Sequence, residues 1–322
     1  MFETIAIALL PAVITVVLGY IAARRHDFVP EDASVLIKMV MSYALPLSLF
    51  VGTVHTPRAA LLADVSLLAA LFVVIVCLYV VVFAVAHLVF HYSLGASALG
   101  ALAASAPNFA FIGPPVLGNL YGPASNVPIA VGNTLVLLTV FPATVVFLTL
   151  ESRTRAARQA DARQANAVPE VSIGSTLLHA FVKPIVWLPL AGIICVMAGV
   201  TIPAPAANAI ELLGQSATGV ALFSAGIVIS AYKLEISRPV VILAALKNLG
   251  QPALLLGILL ALGFTNPTLG EAVVAAALPT LVSVALLGVQ YGVAQSQAAS
   301  TLFLSLVTSL FTLALFIVVT GA

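Results

Sequence analysis

The chain has very few charged residues for its length. Of 322 residues, 7% are Asp, Glu, Lys or Arg, whereas 62% are hydrophobic, and the mean hydropathy is +1.20. So few polar side chains cannot cover a folded surface in water, so the composition excludes an ordinary water-soluble domain and predicts an integral membrane protein. The formal net charge of +1 provides no basic surface for nucleic acid, so no nucleic-acid partner is expected.

Cysteines and catalytic groups are also scarce. Cys77 and Cys195 both lie in apolar stretches, where cysteine acts as a small hydrophobic residue rather than as part of a disulfide framework. No Asp or Glu lies in the middle of an apolar stretch, which disfavours a buried proton relay and a cationic substrate. His87 and His91 lack a third ligand, so no metal or other cofactor is predicted. The sequence contains no nucleophile–base pair and no phosphate-binding loop. It therefore predicts neither an enzyme nor an ATP-driven pump.

Apolar stretches of membrane-spanning length are abundant. About 20 apolar residues are enough to cross the hydrocarbon core as a helix. Ten such spans are predicted, at 3–23, 33–54, 61–90, 95–121, 126–150, 176–200, 207–230, 238–263, 270–292 and 297–320. The fourth and ninth are interrupted by proline and glycine. The expected fold class is therefore an all-α integral membrane protein with ten transmembrane helices.

Lysine and arginine are concentrated in alternate loops between these spans. The residues concerned are Arg24, Arg25, Arg153, Arg155, Arg158, Arg163, Lys233 and Arg238. The opposite loops contain Arg58 alone. By the positive-inside rule, the segment 151–171 is expected to be cytoplasmic and both termini extracytoplasmic, in a multi-pass protein of the cell inner membrane.

The polar linker at 151–172 divides the chain into two halves, 1–150 and 173–322, with five predicted spans each. An odd number of spans places the second half upside down relative to the first. The halves share short matches at a common offset, such as LYG at 120–122 and QYG at 290–292. Two inverted repeats are therefore predicted.

The stretch SAPNFAFIGPPVLGNLYG at 105–122 places helix breakers inside the fourth span. Proline removes a backbone donor, so a break at membrane depth survives only where protein or water lines it. Pro107, Pro114 and Pro115 mark this break, and Pro279 marks another in the ninth span. Each break is predicted to expose a half-helix N-terminus with free amides. Inverted repeats would bring the two termini together as an anion site.

These two stretches carry a family resemblance. NFAFIGPPVLGNLYG at 108–122 resembles the fourth-helix signature of the auxin efflux carrier family, and AALPTLVSVALLGVQYG at 276–292 is similar to its ninth helix. The prokaryotic members include malonate and malate carriers, which the chain resembles in its length and short central loop. One difference from the plant auxin carriers is that Thr280, not Asn, follows Pro279, which disfavours an aromatic, auxin-like substrate.

The resemblance implies the fold of the bile acid sodium symporters. In that fold, spans 1, 2, 6 and 7 form a scaffold, and spans 3, 4, 5, 8, 9 and 10 form a transport domain in which broken helices 4 and 9 cross. The substrate would bind at the crossing and face residues of spans 2 and 7. A homodimer formed through the scaffold is a further expectation.

The expected substrate-binding residues surround this crossing. They are Asn108, Gly113, Pro114, Thr280, Ser283, Lys247, Ser48, Phe50, Phe223 and Ser224. Asn108 and the half-helix that begins near Gly113 lie on one side of the expected anion. Lys247, deep in the eighth span, is expected either to attract an anionic substrate or to bind carbonyl groups of the crossing. The four residues of spans 2 and 7 are expected to set substrate size.

The function expected is secondary active transport of a small organic anion, such as the dicarboxylates malonate and malate, across the lipid bilayer by alternating access. A sodium-coupled symporter of bile-acid type is the alternative. Hydroxyl groups of Thr134, Thr139, Thr280 and Ser283 would then be candidate sodium ligands. The sequence leaves open whether Na+ or H+ is the coupling ion. A membrane-embedded enzyme is the third hypothesis, but the sequence lacks the set of catalytic residues that such an enzyme would need.

Overall fold

A computed structural model describes residues 2–54, 65–110, 112–121, 126–161, 184–200 and 202–321. The helices are α1 Phe2–Arg24, α2 Pro30–Met39, α3 Leu45–Val54, α4 Val65–Ala84, α5 Leu94–Ser105, α6 Gly113–Tyr121, α7 Asn126–Leu138, α8 Val140–Asp161, α9 Pro184–Met197, α10 Ala204–Ala231, α11 Arg238–Ala245, α12 Gln251–Ala261, α13 Thr268–Ala276, α14 Ser283–Tyr291 and α15 Gln295–Thr320. Short π-helical turns at Val40–Ala44, Val85–Val89 and Leu246–Gly250 join α2 to α3, extend α4 and join α11 to α12.

The described residues form helices and no strand, apart from one isolated backbone bridge. Five helical stretches among them are long and apolar enough to cross a membrane, at Ser66–Val89, Val131–Arg155, Pro205–Ala231, Arg238–Ala261 and Gln295–Thr320. Large apolar side chains such as Val81 and Phe311 are exposed on outer faces, as contact with lipid requires. These features agree with the prediction of an all-helical integral membrane protein. The count of ten spans and the inverted repeat stay predictions.

The helices pack in two sets. Helix α1 lies along α10, and α3 packs on α9 and α10. In the second set, α5 packs between α4 and α8, α15 packs on α11, α13 and α14, and α12 packs on α4 and α13. The first set belongs to the predicted spans 1, 2, 6 and 7, and the second to the remaining predicted spans, although α6 also contacts α1 of the first set.

Helices α1 and α10 approach so closely that their backbones touch. A Cβ atom added at Gly19 would lie 2.0 Å from the carbonyl oxygen of Phe223, and one added at Gly226 would lie 2.0 Å from that of Val16. Small residues allow helices in membranes to pack at this distance. Glycine is therefore required at both positions for this contact.

The fourth and ninth predicted spans are both interrupted. Helix α5 ends at Ser105 and α6 begins at Gly113, while α13 ends at Ala276 and α14 begins at Ser283. Helices α5 and α13, which precede the breaks, are almost entirely buried. The prolines at these positions thus end helices deep inside the protein rather than at its surface.

Helix α8 extends further than expected. It continues to Asp161, so the first residues of the predicted linker at 151–172 are helical. Residues 151–161 contain no proline or glycine and include several Ala and Arg residues, which are strong helix formers. This composition explains why the helix continues. The rest of that linker lies outside the described residues, as does the loop at 55–60.

Candidate functional site

The two breaks pair with each other through their backbones. The amide of Asn108 donates to the carbonyl oxygen of Pro279 at 2.9 Å, and the amide of Leu281 donates to that of Ala106 at 3.0 Å. The two segments run antiparallel where they meet. Backbone groups that proline leaves without a helical partner must be satisfied at membrane depth. Each break therefore provides hydrogen-bond partners for some of the backbone groups of the other.

Side chains bind the carbonyl groups at the ends of both preceding half-helices. At the end of α5, the Thr280 hydroxyl donates to the carbonyl oxygen of Ala103 at 2.7 Å, and Gln251 Nε2 donates to that of Ser105 at 2.6 Å. The last carbonyls of a helix have no intrahelical partner and carry partial negative charge. These donors therefore cap α5 inside the protein.

Lys247 caps the end of α13 in the corresponding way. Its ammonium group donates to the carbonyl oxygens of Ala276 at 2.8 Å and Leu278 at 2.7 Å. The side chain is 0% exposed. Of the two roles expected for Lys247, the structure therefore places the ammonium on the carbonyl groups of the crossing.

The eighth predicted span supplies further support next to Lys247. Asn248 Nδ2 donates to the carbonyl oxygen of Ser305 at 2.7 Å, and the Ser305 hydroxyl donates to Asn248 Oδ1 at 2.7 Å. The same hydroxyl accepts a hydrogen bond from the amide of Thr280 at 2.9 Å. Lys247 and Asn248 lie on the π-helical turn, a distortion often found at functional sites. Sequence reasoning missed Ser305, because one serine in an apolar helix carries no signal of its distant partner.

The N-terminus of α6 differs from the prediction. The amide of Gly113 donates to the carbonyl oxygen of Asn108 at 3.2 Å, Pro114 and Pro115 have no N–H, and the amide of Val116 donates to Ile112 at 3.2 Å. The prediction that this break exposes free amides is therefore wrong for α6. The two prolines remove the donors, and the Asn108 carbonyl uses the remaining one.

The N-terminus of α14 keeps free donors. The amides of Thr280 and Leu281 are used by Ser305 and Ala106, but those of Val282 and Ser283 donate to no described residue. Free amides at a helix start favour an anion, because the helix dipole is positive there. The hydrogen-bond donors at the crossing thus come from one half-helix rather than from two.

The Asn108 side chain is the clearest sign of a ligand. It is 0% exposed, and neither Nδ2 nor Oδ1 has a hydrogen-bond partner among the described residues. Buried side-chain amides are nearly always hydrogen-bonded, so an amide with both ends free requires an explanation. A bound carboxylate would accept a hydrogen bond from Nδ2.

The remaining predicted residues lie on α3, α6 and α10. Gly113 is packed closely, since an added Cβ atom would lie 3.3 Å from the Ile129 side chain. Ser48 lies at the contact of α3 with α10, where a Cβ atom added at Gly214 would lie 3.0 Å from its Cα. Phe50 is half-buried on α3.

Phe223 and Ser224 are engaged in local contacts on α10. The Phe223 ring meets that of Phe28 edge to face, with the ring centroids 5.3 Å apart. The Ser224 hydroxyl donates to the carbonyl oxygen of Val220 at 2.6 Å. A role of Ser48, Phe50, Phe223 and Ser224 in setting substrate size stays a prediction.

A cavity of about 140 Å³ lies near α14 on the side of the π-helical turn of the second predicted span. Ser42, Leu287, Gln290 and Tyr291 are among its lining residues. Leu287 and Tyr291 follow Ser283 at intervals of four residues, so all three share one face of α14. The cavity therefore begins one helical turn from the free amides.

A second polar cluster joins the middle of α8 to the start of α5 and the end of α14. Glu151 is 8% exposed, accepts the amide of Gly95 at 2.5 Å, and pairs with Arg155. Arg155 also donates to the carbonyl oxygen of Gly292 at 3.2 Å. Negative charge thus meets the start of α5 and positive charge meets the end of α14. Sequence patterns do not predict this cluster, because Glu151 and Arg155 fall in the segment predicted to be a polar linker.

The comparisons with known proteins agree with the two motifs at the crossing. The chain matches the family described as "Membrane transport protein" over residues 4–317. This chain belongs to that family, the auxin efflux carriers. The resemblance stated from the fourth and ninth spans is therefore confirmed.

Relatives of the auxin efflux carrier family cover nearly the whole chain. The "Uncharacterized transporter YfdV" of Escherichia coli (strain K12) is 29% identical over 314 residues, which are 97% of this chain and 96% of that protein. The "Putative malonate transporter" of Rhizobium meliloti (strain 1021) is 26% identical over 309 residues, which are 95% of this chain and 93% of that protein. The family and these names indicate a membrane transporter.

Proposed function

We propose that the protein is a secondary active transporter of a small organic anion, a dicarboxylate such as malonate or malate, which binds where the two broken helices cross. The observation that carries this proposal is the fully buried Asn108 amide without a described partner. Its backbone pairs with Pro279, three residues before Val282, whose amide is also free.

One carboxylate group of the substrate binds at the crossing. Asn108 Nδ2 and the amides of Val282 and Ser283 are its hydrogen-bond donors, and the positive end of the α14 dipole adds attraction. Lys247 contributes long-range positive charge only, because its ammonium group already binds two carbonyls.

The architecture of the proposed transporter is ten transmembrane helices in two inverted repeats, 1–150 and 173–322, related across the crossing. Breaks in both halves and their antiparallel backbone pairing support this arrangement. The set of α1, α2, α3, α9 and α10 is the scaffold, through which the homodimer forms. Both termini are extracytoplasmic in the cell inner membrane, since the Arg-rich segment 151–171 belongs to the cytoplasmic side.

Transport occurs by alternating access, with the crossing moving against the scaffold. The cavity near α14 supports this mechanism, because Ser42 belongs to the scaffold set and Leu287 and Gln290 belong to the other set. In the proposed orientation, Gln290 and Tyr291 lie toward the cytoplasm. The cavity is then the route by which the anion reaches Ser283 from that side.

A dicarboxylate is the substrate class we favour. The free donors suit a carboxylate, and one relative is named a putative malonate transporter. Uptake of labelled C3 and C4 dicarboxylates into proteoliposomes, with monocarboxylates of the same length for comparison, tests this choice. Uptake of none of these anions would contradict the proposed function.

The test of the site is the variant Asn108→Ala. Loss of a hydrogen bond to a charged group costs about 1.5–3 kcal/mol, so we expect roughly 10-fold to 100-fold weaker anion binding. Asn208→Ala, the same change at an exposed position, is the matched control and should bind as the wild type does. Affinities are measured on purified, monodisperse protein. Wild-type affinity in Asn108→Ala would place the anion elsewhere.

A further inference from the structure

Glu271 is a buried carboxylic acid near the start of α13. The sequence places it at the edge of the ninth predicted span, yet the residue is only 7% exposed. Among the described residues, its carboxylate has no ion pair and no hydrogen bond. A carboxylate taken out of water without a partner is costly while it is charged, and binding a proton removes that cost. Glu271 therefore requires an explanation that packing does not give.

Capping of its own helix does not explain Glu271. The amide of Gly270 donates to Asn266 Oδ1 at 3.1 Å, and the amide of Glu271 donates to the carbonyl oxygen of Pro267 at 3.0 Å. Asn266 is thus the side chain that caps the start of α13. The helix dipole supplies only a partial positive charge there. The Glu271 carboxylate is left available for a ligand.

Tyr121, at the end of α6, provides a second polar group without a partner. Its hydroxyl is buried and makes no hydrogen bond within the described part of the chain. Helix α6 packs on α13, and the Glu271 carboxylate lies near enough to the Tyr121 hydroxyl to interact with it electrostatically. A small rotation of either side chain, or one bridging water, would join the two groups.

The helices around Glu271 contain no cationic side chain. Helix α13 packs on α6, α7, α12 and α15, and Tyr121 is the one titratable residue in the sequences of these four helices. Lys247 binds carbonyl oxygens at the opposite end of α13. No cation on these helices is therefore placed to neutralise a charged Glu271, whereas a proton could.

The position of Glu271 links its charge to the anion site. It lies five residues before Ala276, where α13 ends at the crossing, a distance of about 7.5 Å along the helix axis. A charged carboxylate at this range repels an anion at the crossing, and a protonated one does not. Linkage is reciprocal, so an anion at the crossing also favours the protonated form.

We propose that Glu271 is a proton-binding site and that its protonation strengthens anion binding at the crossing. In the proposed orientation, α13 begins on the extracytoplasmic side, so the proton comes from that side and binds a carboxylate oxygen. Tyr121 is a positioning residue, which donates to the carboxylate when it is charged. The statement about anion binding rests on the proposed function, whereas the statement about proton binding does not.

The first experiment measures the thermal unfolding midpoint of purified protein without anion, from mildly acidic to mildly alkaline pH. Glu271→Gln has the shape of the protonated acid and cannot ionise. As the pH rises, we expect the midpoint of the wild type to fall relative to that of Glu271→Gln, because only the wild type then has to bury a charge. The same change at the exposed Glu235 is the control and should follow the wild type. Parallel curves for the wild type and Glu271→Gln would overturn the proposal.

The second experiment measures the affinity for malonate over the same pH range. We expect the wild type to bind roughly 5-fold or more tightly at acidic than at alkaline pH, as is typical of coupled sites. Glu271→Gln should lose this difference and keep the tighter binding. Both proteins meet the same anion, so the titration of malonate itself cancels in the comparison. An equal pH dependence in the two proteins would show that Glu271 does not act on the anion site.

Tyr121→Phe tests the positioning role. Without the hydroxyl the charged carboxylate loses its donor, so the tight binding of malonate should persist to higher pH than in the wild type. Tyr43→Phe, at an exposed position, is the control and should leave the pH profile unchanged. A wild-type profile in Tyr121→Phe would remove Tyr121 from the proposal.

The wild type alone also decides between a proton and a metal cation. Malonate added to the wild type in weak buffer should cause uptake of protons, beyond any that Glu271→Gln takes up. A higher unfolding midpoint in NaCl than in choline chloride that Glu271→Gln lacks would mean that the carboxylate binds a metal cation, which overturns the proposal. If malonate does not bind at any pH, the proposed substrate is contradicted, and the midpoints without anion still decide whether Glu271 binds a proton.

Discussion

At the scale of single residues, the crossing depends on side chains that bind backbone groups left free by proline. Thr280 takes part in two such contacts, because its hydroxyl donates to the carbonyl oxygen of Ala103 and its own amide donates to the Ser305 hydroxyl. A buried carbonyl that loses its donor costs the full desolvation penalty of that group. Thr280 therefore acts as a positioning residue of the crossing, in addition to the substrate contact expected from its place in the sequence.

We expect Thr280→Val to destabilise the protein by about 1–3 kcal/mol, because valine has the shape of threonine but leaves the Ala103 carbonyl unsatisfied. The measurement is the unfolding midpoint of purified protein. Thr154→Val is the matched control, since the Thr154 hydroxyl bonds its own helix at an exposed position. Equal stability of Thr280→Val and the wild type would show that the hydroxyl does not cap α5.

At the scale of secondary structure elements, the two half-helices after the breaks are not equivalent. Helix α6 begins with Gly113, Pro114 and Pro115 and offers no free amide in its first turn, whereas the amides of Val282 and Ser283 at the start of α14 donate to no described residue. In the proposed site, α14 would therefore supply most of the backbone donors to the anion. This asymmetry distinguishes two halves that resemble each other in length and in the position of their breaks.

Val282→Pro tests the contribution of α14. Val282 has φ −55°, which suits proline, and its amide makes no hydrogen bond to the described residues, so the change removes one free donor and no protein contact of that amide. We expect roughly 10-fold to 100-fold weaker anion binding, as for other hydrogen bonds to a charged group. Val282→Ala keeps the amide and controls for the lost side chain. Equal affinity of the two variants would argue against binding by α14.

The positions of the helices could be predicted from the sequence more easily than the contacts between them. Apolar length and proline are local signals, so the positions of α5, α6, α13 and α14 were predicted correctly. The free amides of α6 were predicted wrongly, although Pro114 and Pro115 stand in the sequence and have no N–H. The roles of Ser305, Glu151 and Gln251 could not be predicted, because their partners are distant along the chain and meet them only after the helices pack.

At the scale of the whole molecule, the proposed transport cycle requires one set of helices to move past the other. Within the scaffold set, the backbones of α1 and α10 touch at Gly19 and Gly226, so we expect this pair to move together. Between the sets lies the cavity near α14, which leaves room for displacement. Relative movement is thus expected at the cavity and not within either set.

Cross-linking tests this expectation. In a variant with Cys77→Ser and Cys195→Ser, Ser42→Cys and Gln290→Cys face the same cavity from different sets. We expect a short bifunctional thiol reagent to abolish anion uptake in this variant, because the two sets are then tied together.

The matched control places the cross-link within one set. Phe83 and Phe147 stack with their centroids 4.7 Å apart, on α4 and α8. Phe83→Cys with Phe147→Cys should keep its uptake after treatment with the same reagent. Uptake that survives a complete Ser42–Gln290 cross-link would contradict movement at the cavity.

The mutual pairing of the two breaks has a consequence for biosynthesis. Thr280 and Ala103 are 177 residues apart, so the first break has no complete set of partners until most of the second half has left the ribosome. Until then, polar backbone near Pro107 lies within an unfinished bundle, where it needs water or a chaperone to satisfy it. A chain truncated before residue 279 should therefore be recognised by quality-control proteases as unfolded. The first half can therefore complete its folding only after the second half has been synthesised.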